Sequence, residues 1–148
     1  MQLGERLGVA GVAVVSGLAL GVDGAVHRGL LRTGGAPPVG VVGSGLDIVY
    51  PGGHRDLWRR VGEEGLLLSE MPLGIRPTRW SFPARNRIIA GLSEIIVVVE
   101  SAQKGGSLYT ADEAVARDRP LFAVPGPITS TAAKGTNRLI ADGAMPLC

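Results

Sequence analysis

"IIVVVESAQKGGSLYTADEA", from Ile95 to Ala114, holds the pattern that decides the fold. Ile95 to Val99 is an unbroken β-branched run, the signature of a strand buried on both faces rather than one that alternates between core and water. A polar turn with the paired glycines Gly105 and Gly106 follows at once, and Ser107 then opens an amphipathic stretch that reaches Arg117. Strand, glycine turn and helix in that order form the unit from which parallel α/β sheets are built. The unit recurs outward in both directions. Further apolar runs lie at Val12 to Val15, Val39 to Val42, Leu66 to Leu68 and Leu121 to Val124. The other helix candidates are Asp23 to Arg32, His54 to Glu64, Ala84 to Gly91 and Thr136 to Asp142. The sequence thus predicts a doubly wound α/β fold, with a mostly parallel sheet and helices on both faces.

With 148 residues, 45% of them hydrophobic, the chain is long enough to bury a core and is expected to form one domain. Its single cysteine, Cys148, leaves no disulfide framework or cysteine-based metal site within one chain and fits a reducing compartment. The apolar runs are too short to cross a bilayer, and Glu5 interrupts the place where a signal peptide needs continuous apolar residues. A cytoplasmic protein without a membrane partner is expected.

Charge is concentrated rather than spread. "RPTRWSFPARNR", Arg76 to Arg87, carries four arginines and no acid, while the whole chain has a net charge of only +2, so the remainder is net acidic. Guanidinium groups pair with phosphate and aromatic rings stack on bases, so arginines interleaved with Trp80 and Phe82 suit an anionic partner with flat faces. The competing reading is a solvated basic turn whose two rings anchor the core.

Ligands of open α/β sheets bind beyond the carboxyl ends of the strands. There the sequence places "SGLALG" with Gly17, "GSGLD" from Gly43, "ESAQKGGS" with Lys104, and "PGP". Glycines let backbone N–H groups approach a ligand, and Gly105, Gly106 and Ser107 open a helix directly after a buried strand, which suits an anion. "GSGLDI" lacks the third glycine of a dinucleotide fingerprint and reads first as a tight turn.

No catalytic or metal constellation emerges. His27 and His54 have no paired metal spacing and read as structural residues. Asp23, Asp47, Glu70 and Glu100 fall where general acids sit, but also where caps and turn makers sit, and Asp23 reads first as a helix cap. Neither Ser16 nor Ser44 lies in a nucleophile elbow.

In this order, "SGLALGVDGAVH", "GSGLDIVYP", "LLLSEMPLG", "FPARNRIIAGLS", "VVVESAQKGGSLYTADEA" and "LFAVPGPITSTAAKGTNRLIADGA" closely resemble the Rossmann-like core of the DprA/Smf family of DNA-processing proteins. The resemblance runs from about Val12 to Ala144. It implies sequence-independent binding of single-stranded DNA and loading of RecA in natural transformation, by a homodimer with no cofactor and no catalytic turnover. It also implies site residues. Arg79 corresponds to the basic residue before the "FPARN" block, and Arg85, Asn86 and Arg87 belong to the block itself. Arg76 and Arg79 are then expected on phosphates, Trp80 or Phe82 on a base or holding the loop, with Trp80 the exposed ring and Phe82 the core one. Arg85 and Arg87 have a competing role as braces for Glu70 or Glu100.

Leu20 departs from the family, which often has Arg or Lys there; Lys104 is a candidate to compensate. Leu139 and Ile140, in "NRLIADGA", are candidates for the dimer interface or for ordinary core positions. The family's core begins with an earlier strand and a G-[ST]-R turn, and "MQLGERLGVAG" resembles only the tail of the helix that follows. The expectation is one core domain, residues 1–148, without that strand or the family's flanking domains. A fainter resemblance to nucleotide-binding phosphoribohydrolases gives the alternative of an enzyme with Glu113 near its acidic position, which would need a closed pocket for one base.

Overall fold

The computed structural model describes residues 2–148. The chain divides into two compact units, Met1–Arg85 and Asn86–Cys148. Each is built from short parallel strands with helices between them, and the α/β class predicted from the apolar runs is the one observed.

The first unit opens with α1 (Gln2–Val9) and continues with β1 (Val14–Ser16), α2 (Val22–Thr33), β2 (Pro38–Val41), α3 (Arg55–Glu64) and β3 (Leu66–Leu68). Its sheet has the order β1-β2-β3, all parallel, with Val15 opposite Val39 and Gly40 opposite Leu67. The first apolar run yields a later and shorter strand than expected: the chain turns at Gly11, with φ 72, and pairing with β2 begins only at Val14. Close approach of α1 to α2 depends on small residues: a Cβ on Gly4 would overlap the Val26 carbonyl, and one on Gly8 the Thr33 hydroxyl. The core of this unit packs Leu18, Leu31, Val42, Leu57, Trp58 and Val61 together.

The helix α4 (Ser81–Leu92) contains the boundary between the units. The second unit then runs through β4 (Ile96–Val98), α5 (Ser107–Val115), β5 (Leu121–Ala123), α6 (Lys134–Ala141) and β6 (Met145–Pro146). Its sheet has the order β4-β5-β6, again parallel, with Val97 opposite Phe122 and Phe122 opposite Met145. Ala90, Ile96, Val98, Ala111 and Ala114 form its core, against which Leu121 and Leu139 pack. Leu139 therefore serves the core of its own unit, and Ile140 beside it is half-buried. The sequence gives no sign of β6, whose two residues include a proline and are too few to make a run. No described helix is long and apolar enough to cross a membrane.

Candidate functional site

In the first unit, the three loops that leave the carboxyl ends of β1, β2 and β3 are locked to one another by side chains. After β1, residues 17–21 make a tight turn in which Leu18 is fully buried at φ 55 and Gly21 has φ 92. The left-handed region is costly for a leucine, and three side chains hold it there. The Asp23 carboxylate accepts from the Gly17 N–H at 2.9 Å and the Ala19 N–H at 3.3 Å. His54, at the start of α3, bonds the Leu18 carbonyl through Nδ1 at 3.0 Å. Arg85, from α4, donates to the carbonyls of Gly17 at 2.8 Å and Val41 at 2.5 Å.

Asp23 is thus corrected as a helix cap. Gly21 occupies the cap position of α2 without a side-chain cap bond, and the Asp23 carboxylate turns back to the preceding loop, where two donors are closer to hand. Gly17 gives the loop its shape while its own N–H and carbonyl are both engaged. A Cβ there would overlap the Arg85 guanidinium, so only glycine lets that side chain cross the turn. Burial pushes the Arg85 guanidinium below its ordinary pKa, and the Asp23 charge opposes that shift.

The second and third loops are tied similarly. Ser44 Oγ donates to the Ile48 carbonyl at 2.8 Å, Ser69 Oγ to the Ser44 carbonyl at 2.7 Å, and Asp47 accepts from the Gly74 N–H at 2.9 Å. Asp47 is a turn maker, and "GSGLDI" is a tight turn.

These loops and the start of α4 enclose a cleft of about 220 Å³. Gly17, Ala19, Leu20, Tyr50, Pro77 and Phe82 contribute to its wall, together with Arg85 and Ser44. The Tyr50 and Phe82 rings lie 5.5 Å apart, tilted by 36°. Leu20 stands 69% exposed at the rim. Sequence reasoning passed over Tyr50; its signal is an aromatic residue in the loop that follows β2.

The segment 76–80 runs past this cleft at Pro77. Arg76 and Arg79 are exposed and make no ion pair among the described residues, unlike Arg59 and Arg60 on α3, which are paired with Asp56, Glu63 and Glu64. Trp80 is 82% exposed, whereas Phe82 is half-buried against Tyr50. The structure therefore divides the four arginines of the cluster: Arg76 and Arg79 face solvent, Arg85 braces backbone, and Arg87 is exposed on α4 with a partner of its own.

In the second unit, the loop after β4 carries exposed Lys104 and the turn Gly105–Gly106 that leads into α5. Ser107 is half-buried at the first position of that helix. Asn86 is buried and its amide donates to the Gly106 carbonyl at 3.3 Å, so it positions this turn from α4. The Ser101 carbonyl accepts from the Gly135 N–H at 2.8 Å, and the Ser101 N–H donates to the Ala132 carbonyl at 3.0 Å, which ties the loop to the start of α6. Glu113 pairs with Arg117, four residues on and just past the end of α5. Among the described residues no group of three or more histidines, cysteines, aspartates or glutamates is placed to hold a metal ion.

Parallel strands with glycine turns at their carboxyl ends define a Rossmann-like α/β protein, and an exposed basic segment lies beside a cleft at the strand ends of the first unit. The chain belongs to the family of DNA recombination-mediator protein A, whose model matches residues 1–148. It is 43% identical to protein Smf of Synechocystis sp. over 143 residues, which cover 97% of this chain and 36% of that protein. The X-ray structure of DNA processing protein A from Streptococcus pneumoniae superposes with a TM-score of 0.88 at 36% identity, over 99% of this chain and 54% of that one. DNA processing protein A from Helicobacter pylori, whose structure addresses that protein's single-stranded DNA binding mode, gives 0.88 at 31% identity, over 98% of this chain and 65% of that one. The chain thus spans little more than a third of the curated relative and roughly half to two-thirds of the solved ones.

Proposed function

We propose that this chain binds single-stranded DNA without sequence preference, with Arg76 and Arg79 on the phosphates and Trp80 stacked on a base. The observation that carries this reading is the exposure of all three side chains on one short segment beside the cleft, with neither arginine ion-paired among the described residues. A relative of known structure with a single-stranded DNA binding mode supports it. Asp23 and Asp47 are committed to backbone N–H groups and Glu113 to Arg117, which gives these three acids structural roles.

Arg85 contributes from beneath by fixing the turn at Gly17, and Asn86 by fixing the turn at Gly105, Gly106 and Ser107. Lys104 and Arg87 are additional phosphate contacts in this reading. Bound DNA is then handed to RecA in recombination of incoming strands, by a cytoplasmic homodimer paired through the α6 region at Ile140. RecA filament formation on oligo-dT that is indifferent to the chain would remove the loading role, and a chain that sediments only as a monomer at high concentration would remove the dimer.

Two variants test the phosphate site. Each phosphate charge neutralised on a single strand contributes about −0.7 to the log–log salt slope, so Arg79→Ala should weaken oligo-dT binding and flatten the slope by about 0.7. Leu20→Arg, which places a cation on the rim of the cleft, should do the reverse, tightening binding and steepening the slope by about 0.7. Fluorescence-anisotropy titrations across salt concentrations measure both. An Arg79→Ala slope equal to that of the unmodified chain would take the phosphate site away from this segment.

A further inference from the structure

Three aliphatic side chains stand in water on the loops that follow β2 and β3: Leu46 is 42%, Leu73 72% and Ile75 45% exposed. None of them lines the cleft. The two loops that carry them are locked together. The Gly45 N–H donates to the Ile75 carbonyl at 2.8 Å, and the Asp47 carboxylate accepts from the Gly74 N–H through both oxygens, at 2.9 and 3.0 Å. Leu46 is thus flanked on each side by a residue bonded to the second loop. That loop is closed on itself by the Ile75 N–H, which donates to the Pro72 carbonyl at 3.3 Å, with Gly74 at φ 80. The approach is so close that a Cβ on Gly45 would overlap the Pro72 carbonyl. Single exposed aliphatic residues are ordinary on a protein surface, but three on one cross-tied platform make an apolar patch that is ordered before anything binds.

The charges beside the patch say what suits it. Arg76 follows Ile75 directly, and it and Arg79 are exposed without an ion pair among the described residues. The nearby acids are spoken for: Asp47 holds the Gly74 N–H, and Glu70 has a partner of its own. Aliphatic side chains offer no ring on which a base could stack, whereas they suit the apolar side chains of a polypeptide, and a guanidinium at the rim suits a carboxylate. We infer that Leu46, Leu73 and Ile75, with Arg76 at the rim, form a docking surface for a partner protein, through a segment that combines large apolar side chains with aspartate or glutamate. The inference goes beyond the single-stranded DNA reading and does not depend on it.

The test selects binders from a random dodecapeptide phage library on the immobilised 148-residue chain, with counter-selection against Leu73→Ser. The enriched peptides should carry large apolar residues together with aspartate or glutamate. Synthetic copies of them should bind Leu73→Ser and Ile75→Ser more weakly by about 5-fold or more, the loss that marks an interface contact of consequence, and should also lose affinity to Arg76→Ala. Leu73→Ser should leave oligo-dT binding as it is in the unmodified chain. No enrichment, enriched peptides that are neutral or basic, or peptides that bind Leu73→Ser as well as the unmodified chain would overturn the inference. So would a loss of oligo-dT binding in Leu73→Ser, which would give the patch to nucleic acid, or a loss of sedimentation with phosphatidylglycerol vesicles in that variant, which would give it to a lipid surface. Should both serine variants fail to fold, amide chemical-shift changes in the isotopically labelled, unmodified chain decide: shifts at residues 45–47 and 72–76 on adding a selected peptide support the surface, and shifts confined to other residues refute it.

Discussion

Arg85→Ala should lower the stability of the chain by about 2–4 kcal/mol, because it removes charged donors from two carbonyls and leaves both acceptors without them inside the fold. The guanidinium joins the end of β1, through Gly17, to the end of β2, through Val41, and carries both to α4. Loss of that brace also frees the turn in which Leu18 sits at positive φ. Gly17→Ala attacks the same contact from the other side, since its Cβ would occupy the place of the guanidinium. The two changes should be non-additive: once Arg85 is alanine, the extra methyl on residue 17 meets nothing of that side chain, and the double variant should be little less stable than Arg85→Ala alone. Urea unfolding of the four proteins measures the coupling. Strictly additive losses would show that Arg85 does not bind the turn as described. Arg85→Lys should recover only part of the stability, because its stem ends one atom short of the position from which Arg85 Nη1 reaches both carbonyls.

The chain should also lose about 3 kcal/mol of stability as pH falls from about 6.5 to about 4 through one residue, His27. This imidazole is fully buried in α2; among the described residues neither ring nitrogen makes a hydrogen bond of full geometry, and the Val14 and Val39 backbone lies close enough to favour its protonated form. Burial lowers its pKa from 6.5 to about 4; the Asp23 carboxylate and the Val14 and Val39 backbone oppose the shift without outweighing it, and His54 adds slightly to it. In the unfolded chain His27 takes its proton near 6.5, and in the fold only near 4. Between those values the unfolded state binds more protons, so stability rises with pH there, is complete above the window and is lost below it. His27→Leu removes two buried nitrogens that lack hydrogen bonds of full geometry and should therefore hold or raise stability at pH 7 while flattening the dependence between pH 4 and 6.5. Denaturant titrations at several pH values check this. An unchanged slope in His27→Leu would assign the acid sensitivity to other groups.

The strands were legible because each is a continuous apolar run, and the helices because polar turns with glycine separate them from those runs. Boundaries were less so: Gly11 delays β1, and Met145–Pro146 is too short to leave a pattern. At the site, the exposed arginines and Trp80 could be anticipated from the crowding of "RPTRW", where no acid is at hand to pair with them. The division between Arg79 and Arg85 could not, since both are arginines in one segment and only three-dimensional placement sets one against solvent and the other against backbone carbonyls. Asp23 misled for a related reason. A carboxylate in the first turn of a helix usually meets N–H groups of that helix, but the preceding glycine turn here folds back within its reach. Tyr50 carried no periodic signal, being a single ring in a loop brought to the cleft by the turn at Ser44 and Asp47.

The most direct measurement is the anisotropy titration of labelled oligo-dT with the unmodified 148-residue chain across salt concentrations, with Arg76→Ala/Arg79→Ala alongside. Two exposed arginines predict a log–log slope of about −1.4, steepening toward about −2.8 if Lys104 and Arg87 also reach phosphate, and a double variant flatter by about 1.4. A folded chain that binds no oligo-dT at low salt, or binds it with a slope that the double substitution leaves unchanged, would contradict the assignment of this edge to single-stranded DNA.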